Sequence, residues 1–313
     1  MEYKPLSGRD FPRFSGIKTF FRLPIANINE DFDVALFGLP FDGGVSYRPG
    51  ARFAPTSVRD YSSLGRSFSW SRGVSLFDTL RCADIGDCPT VPISREQTYA
   101  KIENFVTQLT AAKKKFISVG GDHSTTLPIL RALKNTYGPV GLIHFDAHLD
   151  TYPAAWGEEF HHGSFLRHAV EEGLVDPTRS VQLGLRGPLA GGDDLDFVRK
   201  HKIPRFTVDD IRSKPLAEVC KNLPKFPQGP MYLSYDIDCL DPVYAPGTGT
   251  PVPGGLTTYE TQHLLRALDV KTLVGADIVE ISPPFDLAGL TALAGVDAAF
   301  EILCLMASGH ATP

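Results

Sequence analysis

Short apolar runs alternate along this chain with longer stretches in which apolar positions recur every three or four residues. The runs Val34–Gly38, Phe116–Val119, Val140–Phe145, Val181–Leu185, Phe206–Val208, Met231–Tyr235 and Leu273–Ile281 predict buried strands. Between them, residues 95–114 predict a helix with Tyr99, Ile102, Phe105, Val106 and Leu109 on one face. Residues 124–136 predict another, with Ser124 or Thr125 near its cap, and further helices are expected at 164–173, 193–201, 258–268 and 290–306. Strand and helix in alternation predict an α/β protein of three layers, α/β/α, around a central and mostly parallel sheet. The Gly- and Pro-rich segments 242–255 and 283–289 read as loops. Residues 1–30 carry Pro5, Pro12 and Pro24 with little periodicity, and are expected to form an arm on the core or on a neighbouring subunit. Residues 31–313 then make one domain, because α/β units of this length often form a single core.

Composition narrows the partners. The net charge is −5 and the pI about 6.0, which gives no basic footprint for nucleic acid or an anionic membrane. No apolar run is expected to reach the roughly 20 residues that span a bilayer, and Met1 to Pro5 hold no apolar signal core. The five cysteines, Cys82, Cys88, Cys220, Cys239 and Cys304, are odd in number and scattered. They predict reduced thiols and a cytoplasmic setting.

Three segments at strand ends carry the chemistry: Gly120-Gly121-Asp122-His123, Asp146-Ala147-His148-Leu149-Asp150, and Asp236-Ile237-Asp238. Alternate residues of a strand share a face, so Asp146, His148 and Asp150 can converge, as can Asp236 and Asp238. His123 arrives from a third strand. In parallel sheets, ligands bind beyond the carboxyl ends of the strands, where all six residues fall. Any one of them alone reads as a cap or turn former. Together they offer four carboxylates and two imidazoles, enough for two divalent ions sharing carboxylates. That donor set suits Mn²⁺, and also Fe²⁺, Co²⁺, Ni²⁺ or Zn²⁺. Such ions generate hydroxide near neutral pH, which points to hydrolysis. Another kind of two-metal hydrolase, a phosphoesterase, would need phosphate donors, and no Gly-rich phosphate loop or Lys/Arg cluster flanks the motifs.

With these segments in view, the chain resembles the ureohydrolase family, and within it the agmatinase branch. Asp42-Gly43-Gly44 with Arg48-Pro49-Gly50-Ala51-Arg52-Phe53, Ala83-Asp84-Ile85-Gly86-Asp87, Ala245-Pro246-Gly247-Thr248-Gly249-Thr250-Pro251 and Val279-Glu280-Ile281-Ser282-Pro283-Pro284 add to the match, which runs from about Pro12 to Met306. The resemblance implies an arginase-like fold, with 31–313 as the catalytic domain. It implies a homo-oligomer, trimer or hexamer, and two metal ions, Mn²⁺ first and Ni²⁺ second. By the same resemblance His123, Asp146, Asp150 and Asp236 would bind one ion, and Asp146, His148, Asp236 and Asp238 the other. Asp150 would also accept a hydrogen bond from the attacking hydroxide. His162, which directly precedes Gly163, would shuttle protons, with His161 as the weaker candidate; Glu280 would receive the guanidinium, and Thr248 would add a hydroxyl contact.

The implied reaction splits a guanidino compound into urea and an amine. Agmatine is the leading substrate, as the commonest in the branch; 4-guanidinobutyrate, 3-guanidinopropionate, guanidine and a proclavaminate-type substrate are the alternatives. A non-catalytic partner subunit is the alternative of another class, and it would show as a lost ligand. For the substrate's tail, Glu158 or Glu159 would suit an ammonium and Arg66 or Arg72 a carboxylate. Trp70 or Trp156 could narrow the pocket, and Trp156 is the expected substrate contact.

Overall fold

The computed structural model describes residues 3–226 and 228–309; Met1, Glu2 and the last four residues of the expected domain lie outside them. Eight strands form the main sheet: β1 Val34–Gly38, β2 Cys82–Asp87, β3 Lys115–Val119, β4 Gly141–Phe145, β5 Val181–Leu185, β6 Arg205–Thr207, β7 Met231–Asp236 and β8 Leu273–Val279. Their order across the sheet is β2-β1-β3-β8-β7-β4-β5-β6. Every pairing in it is parallel. The longer helices are α1 Ala54–Ser62, α2 Arg95–Ala111, α3 Thr126–Tyr137, α4 Phe165–Glu171, α5 Thr258–Ala267 and α6 Leu290–Ser308.

The three layers follow from strand alternation. Val34 and Leu36 of β1 join one hydrophobic cluster with α1, α5 and α6; Ala35 and Phe37 join the other with α2, α3 and α4. Consecutive side chains point to opposite faces, so a strand covered on both sides reads as unbroken apolar sequence. The central strands β1, β3, β4 and β7 are legible for that reason.

Strand β2 was not expected. Its sequence, Cys-Ala-Asp-Ile-Gly-Asp, is half polar because it lies at the sheet edge, where Ile85, Gly86 and Asp87 are no longer buried. Helix α1 was also missed, since Ala-Pro-Thr-Ser-Val-Arg-Asp-Tyr-Ser carries few apolar residues. The expected helix at 193–201 is a 3₁₀ turn, Gly192–Leu195, followed by Asp196–Lys200. One expectation on apolar length is corrected. Helix α6 has 19 residues, long and apolar enough to cross a bilayer, but it is largely buried in the first cluster. It is the core helix of this fold.

The segment before β1 is tied to the edge of the sheet. Phe20, Phe21 and Leu23 enter the first cluster, and the Phe20 N–H donates to Asp84 Oδ2 at 2.9 Å. Arg59 of α1 reaches the same carboxylate at 2.8 and 3.0 Å and Asp87 at 2.6 Å. Asp84 thus joins α1, β2 and the amino-terminal segment. Breaking one partner of a buried, hydrogen-bonded pair typically costs about 3–5 kcal/mol. Asp84→Ala is therefore expected to lower the unfolding free energy by that order, read as a lower urea midpoint, and to open residues near Phe20 to protease. An unchanged midpoint would show that the pair holds nothing together.

Candidate active site

Four neighbouring strands, β3, β8, β7 and β4, end at one level of the sheet: Val119 pairs with Ile278, Val279 with Asp236, and Phe145 with Tyr235. The residues that follow therefore meet. His123 lies in a short 3₁₀ turn after β3. Asp146, His148 and Asp150 follow β4, Asp236 ends β7, and Glu280 follows β8. All six expected ligands come together. His123 Nδ1 stands 3.2 Å from Asp146 Oδ2, 3.0 Å from Asp150 Oδ2 and 3.1 Å from Asp236 Oδ2. His148 Nδ1 stands 3.3 Å from Asp146 Oδ1 and 3.1 Å from Asp238 Oδ2. Asp146 touches both groups, as a shared ligand must.

The hydrogen bonds settle which nitrogen of His123 is free. Ser234 Oγ donates its single proton to Asp277 Oδ1 at 2.6 Å. It must therefore accept from His123 Nε2 at 2.8 Å. Asp277 is fixed in turn by Thr126 and Tyr232, each donating at 2.8 Å. The neutral imidazole then aims a lone pair from Nδ1, a buried atom with no hydrogen-bond partner, at three carboxylate oxygens. Lone pair against carboxylates is repulsive unless a cation lies between them, so this donor set fits a metal ion. Burial, then repulsion from Asp238 and Asp146, pushes the Asp236 carboxyl well above the usual range. Burial also raises Asp238, with Asp146 adding to it. Bound cations would relieve exactly this excess of negative charge.

A buried histidine missing from the expected set, His144, supports the cluster from behind. Gln182 Nε2 must donate to the Leu149 carbonyl at 2.9 Å, which fixes its amide orientation, and it also faces His144 Nδ1 at 3.1 Å. His144 therefore donates from Nε2 to Asp146 Oδ2 at 2.8 Å and is a supporting residue for that ligand. Its position, two before Asp146 on the same strand face, was the available signal. Ser234 and Asp277 carried no such signal, because polar residues inside an apolar strand look like interruptions.

Beside the cluster, His162 Nδ1 lies 3.0 Å from Glu280 Oε1. The same oxygen accepts the His123 N–H at 2.9 Å, while Glu280 Oε2 is buried and unpartnered. Thr248, paired through its backbone with Ile281, also keeps a buried hydroxyl without a partner. A Cβ on Gly249 would sit 3.1 Å from Glu280 Oε2. Glycine there leaves the free oxygen room for a planar donor. Burial opposes a charged His162, but the Glu280 carboxylate outweighs it and lifts the imidazole to about 9. Three non-glycine residues of this region adopt left-handed backbone: Asp150 at φ 51°, Trp156 at 52° and Glu280 at 63°. Such strain costs roughly 1–3 kcal/mol per residue and persists where surrounding structure enforces it.

The cavity above is lined by Ser46, Tyr152, Trp156, His161, His162 and Thr250, with His148, Asp150 and Asp236 at its floor. The expected tail contacts are corrected. Glu158 is held by Arg95 at 2.5 Å, and neither it nor Glu159 lines the cavity. Arg66 and Trp70 line a separate groove near the Phe68–Ser69 and Val74–Ser75 hairpin. Arg72 lies in the turn of that hairpin and is likewise absent from the cavity wall. Trp156 does line the cavity, at its exposed mouth. Thr248 stays beneath the wall, beside Glu280.

Comparison with known proteins covers the stretch of chain that holds these residues. The Arginase family model matches residues 32–305. A guanidinopropionase of Pseudomonas aeruginosa is 44% identical over 310 residues, covering 98% of this chain and 97% of its own. A guanidinobutyrase of the same species is 39% identical over 308 residues, covering 97% of each. The solved structure of proclavaminate amidino hydrolase from Streptomyces clavuligerus superposes with a TM-score of 0.90 at 39% identity, covering 96% of this chain and 100% of that one.

Metal capture requires neutral imidazoles. Burial works against a charged His123, but Asp146, Asp150 and Asp236 together raise it well above its ordinary value, so protons compete for Nδ1. Titration with Mn²⁺ is expected to saturate at two ions per chain, with affinity falling as pH is lowered. Ser234→Ala, which removes the acceptor that orients His123, is expected to weaken binding roughly 10–100-fold. Saturation at one ion, or an unaffected Ser234→Ala, would overturn this account.

Proposed function

The chain belongs to the arginase family, and from that premise we propose that it hydrolyses a short guanidino acid to urea and the corresponding amino acid. Hydrolysis of a guanidino compound at a binuclear metal centre is the family's reaction. Two divalent ions held by the six ligands would supply hydroxide from water near neutral pH. Mn²⁺ is the proposed ion, with Ni²⁺ second. The presence of all six ligands speaks against a non-catalytic partner subunit.

The roles proposed for the side chains follow from their chemistry. A guanidinium carbon is a weak electrophile because its charge is spread over three nitrogens. It must be held close to the nucleophile and in the right plane. The free Oε2 of Glu280 faces the room left by Gly249, and carboxylate with guanidinium is a strong charge-assisted match. Thr248 brings an unpartnered hydroxyl to the same place. Asp150 accepts the hydrogen bond of the attacking oxygen and passes its proton to the departing nitrogen. His162 carries the proton that water yields when hydroxide is renewed.

The observation that carries the choice of tail is the cavity rim. Outside the metal cluster it has no carboxylate, and its donors include the Tyr152 hydroxyl and the Trp156 indole N–H. A rim of donors suits a carboxylate tail better than an ammonium. The names of the relatives, guanidinopropionase and guanidinobutyrase, support the same choice. Agmatine, leading on sequence alone, becomes the competitor, and guanidine the substrate expected if Trp156 closes the mouth.

With Mn²⁺ or Ni²⁺, urea release is expected to be fastest with 3-guanidinopropionate or 4-guanidinobutyrate. Glu280→Gln should cost about 100-fold in kcat/KM, and His162→Ala about 10²–10⁴ in kcat. Preference for agmatine would reverse the tail assignment. Urea from none of these compounds would remove the hydrolase reading.

We extend the proposal to a homo-oligomer, trimer or hexamer, in a reducing, cytoplasmic setting. The exposed Phe14 and Ile17 support the first part as apolar contact points, and five free cysteines the second. Light scattering that finds only a 34.2 kDa particle at micromolar concentration would end the oligomer proposal.

A further inference from the structure

His162 is buried, and both ring nitrogens are engaged. Nδ1 meets Glu280 Oε1 at 3.0 Å. Nε2 meets the Ser46 hydroxyl at 2.7 Å and the Ser46 backbone N–H at 3.3 Å. The inward path through Glu280 ends at an oxygen already accepting the His123 N–H. The outward contact of the ring is Ser46, which is exposed and lines the cavity. We propose that Ser46 is a positioning residue that completes the proton route, its hydroxyl linking buried His162 to the water of the cavity. This rests on the hydrolase reading above.

The hydrogen bonds support the assignment. A backbone N–H can only donate, so the Ser46 amide favours a lone pair on Nε2 and a proton on Nδ1, where Glu280 accepts it. The Ser46 hydroxyl can do either. It donates to Nε2 while the ring is neutral, and it turns to accept once Nε2 carries a proton. A side chain that changes roles by rotation about one bond is the simplest relay.

The segment holding Ser46 is fixed rather than loose. The Gly44 N–H donates to Asp122 Oδ2 at 2.8 Å, and the His162 N–H donates to the Gly44 carbonyl at 3.0 Å. Farther along, the Gly50 N–H donates to Asp42 Oδ2 at 2.7 Å. The charged groups that act most strongly on His162 are Glu280, Asp150 and Asp122. All are acidic, and they hold a proton on the ring. Ser46 is the polar contact of Nε2, and it carries no charge.

The proton balance gives the relay its work. Per turnover, one water loses a proton as hydroxide is renewed, a C–O bond forms and the C–N bond breaks. The departing amine leaves as an ammonium with two added protons. One comes from the attacking hydroxide through Asp150; the other is the proton that water yielded, carried by His162 through Ser46.

Ser46→Ala is expected to lower kcat at least 10-fold with KM within about twofold, a share of the 10²–10⁴ assigned to acid–base transfer. Ser46→Thr, which keeps the hydroxyl, should recover most of the rate, and small imidazole buffers should partly rescue the alanine variant. A second readout is independent of turnover: exchange of the His162 ring proton with water, followed by NMR on the Zn²⁺-loaded protein, should slow in Ser46→Ala. Wild-type kcat and exchange in Ser46→Ala would overturn the proposal. So would a loss that neither threonine nor buffer restores, accompanied by lost metal, which would mark a purely structural role. If the wild type releases urea from no guanidino compound, the hydrolase reading fails by itself, and unchanged exchange would then also remove the relay.

Discussion

Four carboxylates buried in one place are the constraint on which the structure depends. Asp146, Asp150, Asp236 and Asp238 are all nearly inaccessible. Gathering that much negative charge away from water is unfavourable unless it is compensated. The fold supplies partial compensation through His123 and His148, and through backbone N–H groups: the His148 N–H donates to Asp146 at 2.6 Å and the Asp238 N–H to Asp236 at 2.8 Å. The remainder is a standing attraction for divalent cations. The centre is thus a place where stability has been conceded to function.

Precision at such a centre comes from the sheet rather than from the loops that carry the ligands. Parallel pairing fixes the levels of β3, β8, β7 and β4, so each ligand starts from a defined height. A second ring of polar residues then sets orientation: Ser234 and Asp277 behind His123, and His144 with Gln182 behind Asp146. These groups lie inside the strands, where packing locks them.

Much of this was legible in the sequence, and the parts that were not share a cause. The layers and the six clustered side chains announce themselves because apolar runs and strand-end motifs are local patterns. Strand β2 was hidden because an edge strand need not be apolar. Ser46 was hidden because its partner, His162, is 116 positions away. The tail contacts failed for a similar reason. Glu158 looked free, but Arg95, 63 positions earlier, already holds it. Charge in a sequence shows that a side chain needs a partner, and only the folded chain shows which one it found.

The sheet order has a consequence for how the protein is made. Strand β8 lies between β3 and β7, so the strand that leads to His123 and the strand that ends in Asp236 are not paired with each other. Until Leu273–Val279 has left the ribosome, the middle of the sheet is missing and the two halves of the ligand set have no common frame. The helix that covers this sheet face, α6, is the last long element to appear. Pairings this distant in sequence form slowly. A nascent chain therefore carries all six candidate ligands well before it carries the frame that gathers them. Loading with metal belongs at the end of synthesis, after the last insertion is complete.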